Sequence, residues 1–195
     1  MKQIFYGPSG CGKSHTILHG IQNLNKRIII LTMNGNGQQE FSHVGINDIQ
    51  ITPIPVKKTD NDTWHVTYDG IPIEAAVKGI YCFEQDVYTL PMNNLDEHSK
   101  YLEVLTEWLE KNRIADDPDN IIIFLNVIPL WNCKEINKIA KRISKWMADV
   151  ILEHTVSETD ADYELSVIRQ SGKWFEILTM PKNYQNNILG KQTIN

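Results

Sequence analysis

The segment Gly7-Pro8-Ser9-Gly10-Cys11-Gly12-Lys13-Ser14 constrains this chain more than any other. It matches G-x-x-x-x-G-K-[ST] at every specified position. It lies between a short apolar run, Ile4-Phe5-Tyr6, and a stretch in which Ile17, Leu18, Ile21 and Leu24 recur at helical spacing. A strand, a glycine loop and a helix in that order make a backbone cradle for phosphate. Glycines are required because successive N–H groups must converge on phosphate oxygens, at angles and distances that a Cβ obstructs. The helix that follows adds unpaired donors and the positive end of its dipole. In this pattern Lys13 neutralises β- and γ-phosphates and the Ser14 hydroxyl ligates Mg²⁺. The expected binding residues are Gly7, Pro8, Ser9, Gly10, Cys11, Gly12, Lys13, Ser14 and His15. Cys11 has no evident partner base and reads as a small residue whose backbone faces phosphate, not as a nucleophile.

The remaining pattern alternates strands with helices. Arg27 to Leu31 is a β-branched run expected of a strand buried on both faces of a parallel sheet. Asn34-Gly-Asn-Gly37 reads as a turn. Residues 49 to 79 read as a small β insertion: Ile51, Pro53 and Pro55 punctuate one run, Trp64 to Tyr68 alternates, and Asp69-Gly70 turns into Ile71-Pro72-Ile73. Ile80 to Phe83 and Ile121 to Leu125 are further buried strands. Helices are expected from about Asn94 to Asn112 and from Lys134 to Met147. Val150 to His154, Tyr163 to Arg169 and Trp174 to Met180 read as closing strands, the last two joined by Ser171-Gly172. The expectation is an α/β fold: a mostly parallel sheet flanked by helices, with a C-terminal antiparallel β extension, forming one domain over residues 1–195.

Composition limits the function classes. The 195 residues carry 19 Lys and Arg against 24 Asp and Glu, a formal charge of −5. A chain of this length buries roughly 70% of its unfolded surface and needs no disulfide or structural metal to build a core. Cys11, Cys82 and Cys133 are odd in number and widely spaced, which argues against a disulfide framework or a zinc site. The longest apolar run falls far short of a membrane span and the N-terminus lacks a signal-peptide pattern, so a soluble cytoplasmic protein with no membrane partner is expected. The acidic balance removes the simplest argument for a nucleic-acid binder and leaves only local strips. One such strip is Lys134 to Lys145, whose cations recur at spacings of three, four and seven residues; a solvated helix face is its commoner explanation. Of the five tryptophans, Trp64 and Trp131 fall in segments expected to be exposed. His15 and His19 lie one helical turn apart with no third ligand evident.

A nucleotide site of this kind needs a second acid at the end of an apolar strand. Ile121 to Leu125 ends in Asn126 and Val127, which offer no carboxylate. Ile80 to Phe83 ends in Glu84-Gln85-Asp86, which makes Glu84 the expected metal-side acid and Asp86 its reserve.

With that order the chain resembles the RecA/RadA-like core ATPases, including small phage-type and KaiC-like relatives. The likeness covers most of the chain except residues 42 to 79. It is carried by the phosphate loop, by Ile122 to Asn126 as a sensor-type strand, and by closing segments that end in Lys182-Asn183. The resemblance implies ATP and Mg²⁺ as ligands, ATP hydrolysis, and a homo-oligomer acting in DNA recombination, annealing or replication, with single-stranded DNA as partner. It also implies that Lys182 reaches the nucleotide of a neighbouring subunit. Asn34 or Asn36 stands where family members carry the water-polarising glutamate, with Glu40 as the substitute if the loop folds back. Val127 stands where a sensor glutamine is expected. A nucleotide-gated binding or assembly protein with little hydrolysis is therefore the alternative. A small nucleoside or nucleotide kinase ranks lower, because Arg27, Arg113, Arg142 and Arg169 form no clustered lid. The absence of a small helical lid after Asn126 argues against an AAA+ protein.

Overall fold

The apolar runs form a sheet whose central strands are buried on both faces. The computed structural model describes residues 1–32, 36–67, 78–85, 95–125, 133–156 and 159–181. In chain order these form β1 (Lys2–Gly7), α1 (Lys13–Ile21), β2 (Arg27–Thr32), α2 (Gly37–His43), β3 (Ile51–Lys58), β4 (Trp64–Val66) and β5 (Gly79–Gln85). They continue as α3 (Leu95–Lys111), β6 (Asn120–Leu125), α4 (Cys133–Ile143), β7 (Asp149–Thr155), α5 (Ala161–Ile168), a 3₁₀ turn over Arg169–Lys173, and β8 (Glu176–Thr179). The eight strands lie in the order β4-β3-β5-β2-β6-β7-β1-β8. Each neighbouring pair is parallel except β3 with β4. The fold is thus α/β, a mostly parallel sheet with helices on both faces.

Period-two alternation divides the core. On one face Ile28, Ile30, Ile121, Ile123 and Ile151 pack against Ile17, Leu18 and Ile21 of α1 and Phe41 of α2. On the other, Ile4, Ile29, Leu31, Ile122, Phe124, Val150 and Leu152 meet Leu102, Leu105 and Leu109 of α3, Ala140 and Ile143 of α4, and Ile168 of α5. A strand residue's parity therefore decides which helices it meets.

Pro53 and Pro55 are accommodated because they sit two residues apart with their missing donors on the outer side of β3. On that side the Thr67 N–H donates to the Pro55 carbonyl at 3.0 Å. Trp64, expected to be exposed, is 4% exposed and meets Tyr101 edge-on, ring centroids 5.0 Å apart. Trp131 lies outside the described residues, as do Asn34, Tyr68 to Ile73, Asp86, Asn126, Val127 and Lys182-Asn183.

Two elements differ from expectation. Tyr163 to Arg169 forms helix α5 and the start of the 3₁₀ turn, not a strand, with Leu165 and Ile168 one turn apart against the core. Asp162 and Glu164 in its first turn suit the positive end of the helix dipole. The closing strand β8 consequently runs parallel to β1, because a helical crossover returns the chain to the same end of the sheet. The antiparallel part is β4 on the opposite edge, not a C-terminal extension. Among the described residues no helix is long and apolar enough to cross a membrane.

Candidate functional site

The glycine loop emerges from β1 at the C-terminal edge of the sheet and ends at the first turn of α1. Its glycines are required by two distinct constraints. A Cβ on Gly7 would stand 2.3 Å from the Met180 carbonyl oxygen and 2.8 Å from Cys11 Sγ, because the Met180 N–H donates to the Tyr6 carbonyl at 2.7 Å as the chain leaves β8. Gly12, the N-cap of α1, has φ of +92°, where a side chain is strained. No side chain caps α1, so its first N–H groups remain free to meet an anion.

Lys13 is 3% exposed and turned back into the loop. Its Nζ donates to the carbonyls of Gly7 at 2.9 Å and Pro8 at 2.8 Å and lies 3.6 Å from Cys11 Sγ. Gly7, Pro8 and Cys11 therefore hold the lysine, while Ser9, Gly10, Gly12, Ser14 and His15 line a cleft of about 390 Å³ beside it. Cys11 is fully buried and serves as packing.

The acid beside Ser14 is Glu153. The Ser14 hydroxyl donates to Glu153 Oε1 at 2.6 Å, and the carboxylate is 2% exposed within the cleft. It arrives there because β7 is the direct neighbour of β1, with Phe5 opposite Glu153, and because odd positions of β7 face α1. Glu84 is not brought to Ser14. Its strand, β5, is separated from β1 by β2, β6 and β7, and its Oε1 accepts the Gly37 N–H at 3.2 Å, closing the N-terminus of α2. Together with Asn36 Oδ1, which accepts from Gln39 N at 2.8 Å, it caps that helix.

Glu40 does fold back into the cleft. It is 3% exposed in α2 and accepts a hydrogen bond from the Thr32 hydroxyl at the end of β2. Val44 and His43 complete that wall. His15 faces them from α1, its pKa lowered first by burial and then by His19, whose ring centre is 4.1 Å away. Behind the loop, on the other face of the sheet, His154 stacks on Tyr6 with ring centroids 5.6 Å apart and lies 3.4 Å from Glu164 Oε2. Burial, with the Lys13 ammonium as a smaller contribution, pushes its pKa down to about 4. Burial also raises the Cys82 thiol well above its usual range, with Glu84 and Glu40 adding to the effect, so that cysteine is protonated and inert.

The arrangement offers an uncapped helix N-terminus, an ammonium, a hydroxyl bonded to a carboxylate, and a second buried carboxylate across the cleft. Sequence reasoning missed Glu153, Thr32 and His43. Glu153 had a signal: Val150-Ile-Leu-Glu153 is an apolar run ending in an acid, the same feature that pointed to Glu84.

No family model matches the chain, and no curated protein matches it. Among solved structures, a chain of Drosophila ORC bound to GC-rich DNA and Cdc6 is similar at 11% identity and a TM-score of 0.27. The match covers 93% of this chain and 30% of that one. The functional reading therefore rests on the cleft itself.

Proposed function

We propose that the chain binds ATP with Mg²⁺ in the cleft between the loop and α2, and hydrolyses it slowly. The single observation that carries this reading is the Ser14–Glu153 contact at the uncapped N-terminus of α1, beside the buried Lys13. Hydroxyl and carboxylate oxygens are the donors Mg²⁺ prefers, so Ser14 and Glu153 would hold it; when bound, the ion screens phosphate charge. Lys13 exchanges the Gly7 and Pro8 carbonyls for β- and γ-phosphate oxygens, a charge-assisted replacement for two neutral acceptors. The α1 N–H groups receive phosphate oxygens directly. Glu40, held by Thr32, orients a water and accepts its proton.

Measured by titration with a fluorescent ATP analogue, Lys13→Ala weakens binding about 100-fold or more, in keeping with the loss of two or more charged hydrogen bonds. Glu40→Gln leaves affinity within a few-fold and lowers phosphate release about 100-fold. Binding by Lys13→Ala equal to that of the wild type would overturn the reading.

One observation favours a nucleotide-gated binding protein with little turnover: the Glu40 carboxylate is already engaged by Thr32. Steady-state phosphate release that disappears in Lys13→Ala eliminates that version. The finer reading is a RecA-type homo-oligomer acting on single-stranded DNA, with Lys182 reaching a neighbour's nucleotide. Its support is the phosphate loop and the order of the later segments, now without Glu84 as the metal-side acid. Single-stranded DNA that changes neither turnover nor assembly counts against it.

A further inference from the structure

Helix α4 carries a charge pattern that the nucleotide cleft does not explain. From residue 134 to residue 145 the sequence holds Lys134, Lys138, Lys141, Arg142 and Lys145 against Glu135 alone, in a chain whose net charge is −5. Ala140 and Ile143 seat the helix on the sheet face opposite α1 and the cleft. Lys138, Lys141 and Lys145 are exposed and line an open groove of about 540 Å³ with Arg142, Glu110, Asp116 and Trp146.

The cations in that groove fall into two kinds. Arg142 is a structural clamp: it donates to Glu103 at 2.6 Å and to both oxygens of Glu110 at 2.9 and 3.1 Å, while Trp146 Nε1 donates to Glu110 at 3.0 Å. The Arg142 hydrogen bond is the main cause that holds the Glu110 carboxyl below its usual range, so that acid is already neutralised. The three lysines have no ion pair among the described residues. An ordinary solvated helix face looks different, and α3 supplies the comparison. Its Lys100 lies 2.9 Å from Asp96 and 3.5 Å from Glu97, and its Lys111 lies 3.4 Å from Glu107. On α4 and the turn after it, Lys141 and Lys145 have no acid three or four residues before them, and beside the clamped Glu110 the groove is lined by the single acid Asp116.

We propose that Lys138, Lys141 and Lys145 form an electrostatic track for the phosphodiester backbone of a nucleic acid. Lys138 and Lys141 stand one turn apart on α4 and Lys145 follows in the turn that leaves it, all three on one groove, a row of point charges that neutralises successive phosphates without reading bases. A protein partner is disfavoured because lysine is depleted from protein–protein interfaces, whereas lysine is a standard phosphate contact. The track supports the finer reading of function but stands apart from the cleft, so it is tested without nucleotide.

The test is fluorescence anisotropy of dye-labelled single-stranded and duplex DNA of mixed sequence, titrated with full-length protein at several salt concentrations. Three phosphate contacts give a slope of log K against log salt of about −2 for a single strand and about −2.7 for a duplex. Affinity for the single strand then falls roughly twentyfold between about 50 and 200 mM salt. The triple variant Lys138→Gln, Lys141→Gln, Lys145→Gln loses about two units of that slope, while the triple Lys→Arg variant keeps it. Binding of either DNA form with these dependences supports the track, and the tighter form identifies its source. An unchanged slope in the Gln variant overturns the proposal, as does absence of binding by the wild type at low salt. So does a labelled polyglutamate that binds through the three lysines while DNA does not, since that assigns the face to an acidic protein. Affinity for ATP in the Gln variant stays at the wild-type value, which separates a failure here from a failure at the cleft.

Discussion

Lys13 and His154 lie on either side of the glycine loop, and the charge of the first bears on the second. The ammonium of Lys13 rests against loop carbonyls, while the His154 ring is buried behind it between Tyr6 and Glu164. Burial first, and Lys13 second, lower the imidazole pKa from 6.5 to about 4. The unfolded chain therefore takes up a proton between those values while the folded chain does not, and stability falls as pH drops through the interval. The loss reaches about 2 kcal/mol by pH 5, growing towards pH 4 and levelling below it. Urea unfolding of wild type and His154→Gln across that range checks this: the wild-type curve declines more steeply by about that amount. Parallel curves would sink the assignment.

At the level of helices and strands, α2 delivers Glu40 to the cleft. Its first residue, Gly37, permits the approach, since a Cβ there would lie 2.8 Å from the Cys82 Cβ and 3.1 Å from its Sγ. Gly37→Ala is expected to cost about 1–3 kcal/mol in chemical denaturation by overpacking, and to lower phosphate release more than ATP affinity because α2 moves with Glu40. Gly20, inside α1 with nothing within 4 Å of where a methyl group would stand, gives the opposite sign. Gly20→Ala stabilises by about 0.5–1 kcal/mol through helix propensity. Equal effects at the two glycines would contradict this account. The elements themselves differ in legibility. The strands of the buried sheet and helices α1, α3 and α4 announce themselves by periodicity. By contrast, α2 follows a turn-like Asn/Gly segment, and α5 contains a tyrosine and apolar residues whose alternation mimics a strand. Its helical identity comes from packing Leu165 and Ile168 on the sheet, a tertiary contact that overrides local preference.

For the whole molecule, a ligand that binds only the folded state stabilises all of it. Under the proposed function, ATP with Mg²⁺ at about 100 times its dissociation constant is expected to add about 2.7 kcal/mol. For a chain of this size that raises the melting temperature by roughly 5–10 °C. Differential scanning fluorimetry should show this rise for wild type and no more than about 1–2 °C for Lys13→Ala; equal rises place the nucleotide elsewhere. The same long-range logic separates what can be read locally from what cannot. The order of residues along the chain is enough to define the glycine loop, with Lys13 and Ser14 at fixed spacing, and the alternation of strands and helices that produces an α/β sheet. These depend on neighbours a few residues apart. Packing of the complete chain was needed to place β7 beside β1 and to keep β5 away from it, so that Glu153, 139 residues from Ser14, meets its hydroxyl while Glu84 caps α2. Strand order is set by how crossover helices divide between the two faces of the sheet, and no local pattern of residues carries that information.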